Sequence, residues 1–294
     1  MLTKLPNGLE LDARTEGEAR LLYHEMFEMQ AYLRHGIEVA DGATVFDVGA
    51  NVGGFSASLA QQYDGLRLVL FEPIPETFAM LRTNADRLLQ GADVTLVPKA
   101  VSSTVGTVTF ETHPRSSFEA SAYSDQAKAE LRAARRADPG AWFRAGVQDA
   151  RRAELVPERA ARLIEGALDN RVARPVVIGG FTLAGTLGSL GRRFRSQRLE
   201  CPTTTISAAM REHGIDRIDL LKIDVEGAEW DALVGIEEPD WPRIRHLAIE
   251  VHDVDGRVAR IRDLLERTGY EVAVEEEDWE TLRLRGLHMV FASR

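Results

Sequence analysis

The chain has 294 residues, of which 44% are hydrophobic and 28% charged, a composition with enough apolar side chains for one large α/β domain or two small ones. Its formal net charge of −10 disfavours nucleic acid as a partner, because such binders neutralise phosphates, and no apolar run approaches the roughly 20 residues that cross a membrane. The start, MLTKLPNGLELDA, lacks the basic-then-apolar order of a signal peptide. The single cysteine, Cys201, excludes an internal disulfide and a cysteine-based zinc cluster. We therefore expect a cytoplasmic protein.

Two segments of different periodicity open the chain. In residues 1–43, apolar side chains recur at helical spacing from Glu16 to His35 and predict one or two leading helices. In residues 44–113, β-rich runs alternate with helix-like ones: TVFDVGA, GFSASLAQQY, RLVLFEP, PETFAMLRTNADRLL, VTLVPKAVS and VGTVTFE. This alternation predicts the first part of a doubly wound, mostly parallel α/β sheet with right-handed crossovers.

The alternation breaks over residues 114–200, which we interpret as a largely helical insertion that acts as a substrate lid. From Asp125 to Glu200 there are 14 arginines and Lys128 against 9 acids, a local charge of +6 in a chain whose remainder carries −16. A solvated helical face is the simplest explanation, and a dock for an acidic carrier protein with a tethered acceptor is the alternative. Alternation resumes over residues 201–294, which predict the second part of the core and about seven strands in one sheet.

The run VFDVGANVGGF, residues 45–55, places three glycines where the chain turns from a strand to a helix. Glycine permits positive φ and close approach of a ligand, and ligands of doubly wound folds bind at this edge of the sheet. The order differs from the phosphate-binding G-x-G-x-x-G and from Walker A. Asp47 suits the ammonium and sulfonium of S-adenosylmethionine, and Glu72, at the end of LVLFEP, can accept bonds from ribose hydroxyls. A purely structural turn and a helix cap are the respective alternatives.

These blocks resemble the FkbM family of S-adenosylmethionine-dependent methyltransferases. The similarity lies in VFDVGANVGGFS, LVLFEPIPETFAMLRTN, VTLVPKAVSSTVGTVTF and, most specifically, IDLLKIDVEGAEWDALVG, and it extends to the leading YHEMFEMQAYLRHGIEV. It departs most over residues 114–198, where the identity of the substrate would be decided. The resemblance implies a Rossmann-like class I methyltransferase fold with a seven-stranded sheet, in which the last strand is inserted antiparallel.

The resemblance also implies a cofactor-binding role for residues of several segments. Asp47, Gly49, Asn51, Gly53 and Phe55 would surround the methionine part of S-adenosylmethionine. Glu72 and Pro73 would hold the ribose, and Lys99, Ala100, Val101 and Ser102 would hold the adenine. Tyr32 would close over the amino-acid end.

Catalysis is predicted on the loop after IDLLKID. Methyl transfer is an in-line displacement whose nucleophile needs a proton removed, so a positioned base is useful. Asp224 is predicted beside the methyl group, and Glu226 opens the following helix as a second catalytic residue. Glu226 and Glu229 are also explained as first-turn acids that complement the helix dipole. His252, at the end of HLAIEVH, is a candidate general base.

Asp224 with Glu250 or His252 offers an alternative, a ligand set for a divalent ion such as Mg²⁺ that orients the acceptor. With either arrangement, the sequence predicts methyl transfer to a hydroxyl of a small polyketide- or peptide-type intermediate of secondary metabolism. A sugar or lipid hydroxyl is the nearest alternative acceptor. A non-catalytic nucleotide-binding module is the alternative from another class, because a fold does not fix a function.

Overall fold

The computed structural model describes residues 1–113, 116–121, 137–152, 156–170 and 197–294, with the backbone alone for residues 111–113, 116–121 and 197. Within these ranges no helix has the length and apolar character to cross a membrane. The predicted insertion is therefore described only in part, since residues 114–115, 122–136, 153–155 and 171–196 lie outside the described residues.

The leading segment combines a hairpin with a helix. Strands β1 (Leu2–Lys4) and β2 (Glu10–Asp12) pair antiparallel, and helix α1 (Glu16–Tyr23) follows. The hydroxyl of Thr15 accepts the N–H of Glu18 and caps α1. A π-helical turn, residues 24–28, then continues the helix. The predicted helical segment is thus shorter than its periodicity suggested, and the hairpin before it carried no signal that we recognised.

A seven-stranded sheet forms the centre of the molecule. Its strands along the chain are β3 (Thr44–Val48), β4 (Arg67–Phe71), β5 (Asp93–Val97), β10 (Ile218–Ile223), β11 (Ile244–His252), β12 (Glu271–Glu276) and β13 (Leu287–Ser293). In space they lie in the order β12-β13-β11-β10-β3-β4-β5. Strand β13 runs antiparallel to β11 and β12, and the other neighbours are parallel. The predicted doubly wound sheet with an antiparallel last strand is confirmed.

Helices cover both faces of this sheet, as its sequence requires. Adjacent residues of β10, Leu220 and Leu221, are both fully buried and belong to opposite faces, which explains why the central strands are apolar throughout rather than alternating. The remaining helices are α2 (Gly54–Ala60), α3 (Pro75–Leu88), α4 (Pro139–Arg152), α5 (Glu158–Asp169), α6 (Ile206–Glu212), α7 (Glu229–Val234), α8 (Arg257–Arg267) and α9 (Glu280–Arg283).

A second, four-stranded sheet stands apart from the core, in the order β6-β9-β7-β8. Its strands are β6 (Ala100–Val101), β7 (Gly106–His113), β8 (Ser116–Ser121) and β9 (Gln197–Thr204). The run VGTVTFE, expected to continue the core alternation, lies here as β7. A period-2 pattern identifies a strand but not its partner, and the partner of β7 is β9, on the far side of the insertion.

The described part of the insertion contains β8, the first residues of β9 and a pair of helices, α4 and α5, that contacts the end of the chain. The carboxylate of Asp149 accepts the backbone N–H groups of Glu280 (3.0 Å) and Thr281 (2.9 Å) and so caps α9. Arg152 donates to the carbonyl oxygen of Asp278 at 2.7 Å. Several arginines of this pair bind acids of the same pair, namely Arg144 with Asp169, Arg151 with Glu158 and Glu165, and Arg162 with Glu158.

Candidate active site

A cavity of about 310 Å³ lies at the carboxyl edge of β3, β4 and β10. Its volume is at the lower end of the range for small-molecule pockets, and this edge is where ligands of doubly wound sheets bind. Ten of the residues predicted from the sequence line it: Gly49, Asn51, Glu72, Pro73, Lys99, Ala100, Val101, Ser102, Asp224 and Glu226. Four other predicted cofactor residues, Tyr32, Asp47, Gly53 and Phe55, are not among its lining residues.

The turn after β3 brings the backbone of two strands together. Gly49 has a φ of +78°, and a Cβ at this position would lie 1.8 Å from the carbonyl oxygen of Asp224. The Asp224 N–H donates to the carbonyl of Val48 at 3.0 Å. Gly53 has a φ of +88° and packs on Leu81, where a Cβ would lie 2.9 Å from Cδ1. Gly53 is therefore required by the turn itself, whereas Gly49 lines the cavity.

Glu72 follows β4 and contributes a buried carboxyl to the cavity wall. Its Oε1 accepts the N–H of Ile74 at 2.8 Å. Burial raises the pKa of Glu72 to about 7, against the lowering effect of the N–H groups of Ile74 and Asn51. Ile74 is the N-cap residue of α3, so Glu72 takes part in the cap predicted as its alternative role and still faces the cavity.

Asp47 is placed differently from the prediction, because its side chain is fully buried and bound by the protein itself. Ser56 donates to one oxygen of Asp47 at 2.8 Å, and the ammonium of Lys222 lies 3.2 Å from the other. The prediction that Asp47 contacts the ammonium of the cofactor is therefore corrected, because Asp47 forms an ion pair with Lys222 inside the protein. The negative charge of Asp47 is balanced by Lys222, which is its direct neighbour in the register of β3 and β10.

Lys222 is a residue that the sequence reasoning missed. Its ammonium donates to the carbonyl of Gly49 at 2.9 Å and lies 3.4 Å from Asp224. Burial alone would lower the pKa of Lys222, but the carboxylates of Asp47 and Asp224 outweigh it and raise the pKa above its ordinary value. A signal was present in IDLLKID, since a lysine inside a buried strand needs an anionic partner.

Asp224 is the point at which the predicted site residues meet. Its side chain is 26% exposed, and its Oδ2 accepts the hydroxyl of Tyr32 at 3.1 Å. The ring of Tyr32 packs edge-on against Phe55, with 5.4 Å between centroids, and lies 5.2 Å from the Lys222 ammonium. Tyr32 thus binds Asp224 through its hydroxyl, and Phe55 packs against the ring of Tyr32.

Lys99 is engaged by the protein itself. Its ammonium binds Glu212 at 2.9 Å, and Lys99 lines the cavity together with Ala100 and Val101.

His252 is enclosed by two carboxylates. Its Nδ1 lies 3.0 Å from Glu229 and its Nε2 lies 3.4 Å from Glu226. Burial alone would lower the pKa of His252, but these two carboxylates raise it well above its ordinary value. A doubly protonated ring has no nitrogen that can accept a proton, so this environment disfavours the predicted role of His252 as general base.

Glu229 anchors the loop that carries Glu226. It is fully buried and accepts the N–H of Gly227 at 2.6 Å, and Arg257 binds it at 2.7 Å. Burial alone would raise the pKa of Glu229, but His252 and Arg257 lower it. Helix α7 begins only at Glu229, because Glu226 and Gly227 have positive φ values of 50° and 102°. Glu226 therefore lies on a turn before the helix, beside the cavity.

Three further glutamates cluster with Asp224. Strands β10 and β11 pair Ile223 with Ile249, so Asp224 and Glu250 are neighbours at the strand ends. Burial and nearby carboxylates, including that of Asp224, raise the pKa of Glu25 to about 8 and that of Glu277 to about 7, and raise that of Glu250 well above its ordinary value. The sequence reasoning missed Glu25 and Glu277, which come from opposite ends of the chain.

The predicted metal alternative is not supported by this arrangement. Within the described ranges, no three His, Cys, Asp or Glu side chains are placed to hold a metal ion. Asp224 is bound by Tyr32 and Lys222, and His252 is held by Glu226 and Glu229. These three candidate ligands, Asp224, Glu250 and His252, are not assembled into one set.

Comparisons with known proteins identify the family of this chain. Residues 47–272 match the family model described as the methyltransferase FkbM domain. The 31-O-demethyl-FK506 methyltransferase FkbM of Streptomyces tacrolimicus is 33% identical over 93% of this chain and 90% of its own length. The AMB antimetabolite synthetase AmbE of Pseudomonas aeruginosa is 29% identical over 93% of this chain but only 12% of its own length. Among solved structures, a methyltransferase FkbM from Methylobacillus flagellatus KT superposes with a TM-score of 0.46 at 14% identity, over 92% of this chain and 49% of that chain.

Proposed function

This chain belongs to the FkbM family of methyltransferases, and we propose that it transfers the methyl group of S-adenosylmethionine to a hydroxyl oxygen of a small secondary-metabolite intermediate. The observation that carries the proposal is the presence of Glu72 and Asp224 in the wall of one cavity. The first suits the ribose hydroxyls of the cofactor, and the second suits the reacting end.

The residues present fit S-adenosylmethionine in charge and in shape. An ionised Glu72 can accept hydrogen bonds from two adjacent ribose hydroxyls. Gly49 lines the cavity, and its lack of a Cβ admits the carbonyl of Asp224 beside it. Ala100 and Val101 offer an apolar surface for an adenine ring. When bound, S-adenosylmethionine supplies an electrophilic methyl group on a sulfonium.

Asp224 is the residue that we propose to take the proton of the acceptor hydroxyl. The acceptor hydroxyl must lose its proton as its oxygen attacks, and a carboxylate within reach can take that proton. Asp224 is partly exposed at the cavity, whereas Asp47 is fully buried. Tyr32 and Lys222 bind the Oδ2 of Asp224 and so fix the orientation of the carboxylate, which favours a single productive geometry.

The acceptor class rests on two relatives. One carries the name of a 31-O-demethyl-FK506 methyltransferase and the other that of an antimetabolite synthetase, so an oxygen atom of a secondary metabolite is the acceptor we favour. We propose a free acceptor rather than a carrier-bound one, because Arg144, Arg151 and Arg162 of α4 and α5 are engaged by acids of the same helices.

The first test is calorimetric titration with S-adenosylmethionine, its demethylated product S-adenosylhomocysteine, and NAD as the control. We expect heat from the first two at micromolar concentrations and none from NAD. If none of the three compounds gives heat with folded protein, the cofactor part of the proposal is overturned.

The second test is methyl transfer to a panel of alcohols, with products identified by mass spectrometry. The panel holds 31-O-demethyl-FK506, sugars and lipid alcohols, so that each acceptor class has its own arm. Asp224→Asn should abolish transfer while S-adenosylmethionine still binds, and the exposed Asp216→Asn should behave as wild type. Binding without transfer to any arm would favour a non-catalytic nucleotide-binding module.

A further inference from the structure

The loop that carries Tyr32 has a strained backbone. Tyr32 lies within residues 29–43, which form neither helix nor strand. On either side of it, Gln30 and His35 have positive φ values of 48° and 52°. Non-glycine residues keep such angles only where the surrounding structure fixes them. The contacts made by this loop therefore decide whether Tyr32 stays in place.

Charged contacts connect this loop to a segment near the end of the chain. The guanidinium of Arg34 lies 2.5 Å from the carboxylate of Asp278 and 3.5 Å from Oε2 of Glu275. Nε2 of His35 lies 2.6 Å from Oε1 of the same Glu275. The ring of His35 also packs against that of Phe291, with 5.0 Å between centroids. A network of partly buried charges of this kind contributes more than an isolated surface pair.

The segment that receives these contacts is also bound by α4. Arg152 donates to the carbonyl oxygen of Asp278 at 2.7 Å, and its guanidinium lies 5.8 Å from the centre of the Trp279 ring. Trp279 is buried and packs edge-on against His24, with 5.4 Å between centroids. Residues 278–279 thus contact the leading segment and α4 at the same time, so they can serve as an anchor for the loop.

The anchored loop also reaches the reacting centre. The hydroxyl of Tyr32 donates to Oδ2 of Asp224 at 3.1 Å. Arg34 is only two residues along the chain from Tyr32, so its release from Asp278 would also release Tyr32. A carboxylate that takes a proton during the attack depends on its orientation.

We propose that Arg34 is a positioning residue for methyl transfer, which anchors the loop on Asp278 and so keeps the Tyr32 hydroxyl on Asp224. The residue itself touches neither the cavity nor Asp224 and acts through Tyr32. This inference rests on the proposed function, since it concerns the proton acceptor of that same reaction.

The first experiment follows the bond between Tyr32 and Asp224 without measuring activity. The full chain is labelled with ¹³Cζ-tyrosine and studied without ligand, and the Tyr32 resonance is identified by its loss in Tyr32→Phe. Arg34→Met should move this resonance toward its position in Asp224→Ala, whereas Arg34→Lys, which keeps the charge, should leave it near the wild-type position. The control is Arg20→Met, because Arg20 pairs with Glu16 on the exposed face of α1. An unmoved resonance in Arg34→Met, or an equal movement in Arg20→Met, would overturn the inference.

A kinetic cycle then tests whether Arg34 acts through Tyr32. With the alcohol that wild type methylates best, Arg34→Met should lower kcat roughly fivefold, the effect of losing an ion pair of a network, and leave the KM for S-adenosylmethionine unchanged. In the Tyr32→Phe background the same change should have little further effect, because the hydroxyl through which it acts is absent. Equal losses in both backgrounds would overturn the inference. Failure to bind S-adenosylhomocysteine or to methylate any alcohol would overturn the proposed function, while the Tyr32 resonance still decides whether Arg34 holds Tyr32 on Asp224.

Discussion

Replacement of Lys222 by methionine tests whether the buried ion pair holds the centre of the site together. Methionine is similar in length and keeps the apolar contacts of the lysine stem, so the change removes chiefly the charge. It leaves the carboxylate of Asp47 fully buried with Ser56 as its remaining donor. It also removes the bond to the carbonyl of Gly49.

The expected loss follows from the burial of the pair. Breaking a buried pair by removing one partner costs roughly 3–5 kcal/mol of the free energy of unfolding, because a charge is left uncompensated. At roughly 2–4 °C per kcal/mol for a domain of this size class, the Tm should fall by about 10 °C. Differential scanning calorimetry of the protein without ligand measures this change.

The double variant Lys222→Met with Asp47→Asn is the control that isolates the charge. It contains no unpaired carboxylate at position 47, so it should recover most of the stability lost in the single variant. A loss below about 1 kcal/mol in Lys222→Met, or a double variant no more stable than the single one, would show that the pair is not what stabilises this region.

Three further outcomes follow from the site. Because the pKa of Glu72 is about 7, its carboxyl loses its proton and becomes a full acceptor as the pH rises. The affinity for S-adenosylmethionine, measured by calorimetry, should therefore increase between pH 6 and pH 8, about one unit either side of that pKa. Glu72→Gln should abolish this pH dependence. Gly49→Ala should prevent cofactor binding, since its Cβ would lie 1.8 Å from the Asp224 carbonyl, and a variant that binds normally contradicts the close approach. Asp149→Ala should lower the free energy of unfolding by about 1 kcal/mol, because Asp149 caps α9 through the N–H groups of Glu280 and Thr281; an unchanged Tm in differential scanning calorimetry would speak against this cap.

The sequence identifies those site residues that follow a strand directly. Glu72 and Asp224 each end a recognisable β-rich run, and the carboxyl ends of parallel strands share one edge. For this reason the cavity contains most of the residues predicted to line it. The sheet itself was predictable for the same reason, since β3, β4, β10 and β11 are each followed by a helix.

Contacts that depend on register or on distant segments were not predictable. Lys222 meets Asp47 only because β10 lies beside β3 with those two residues in register. Glu25 and Glu277 come together only because β13 inserts between β11 and β12 and returns the end of the chain to the site. A local pattern contains no information on either pairing. Likewise, the sequence did not show that His252 is paired, because its carboxylate neighbours come from the turn before α7 (Glu226) and from the first residue of α7 (Glu229).

The pairing of β7 with β9 has a consequence for how such an enzyme can diversify. Thr112 and Gln197 are direct partners in this ladder, so everything between them departs from and returns to one fixed stem. The entropy of closing a loop on a fixed stem grows only slowly with its length. Segments of very different length and composition can therefore be exchanged at this stem in a chimera, as long as the contacts of Asp149 and Arg152 with residues 278–281 are retained.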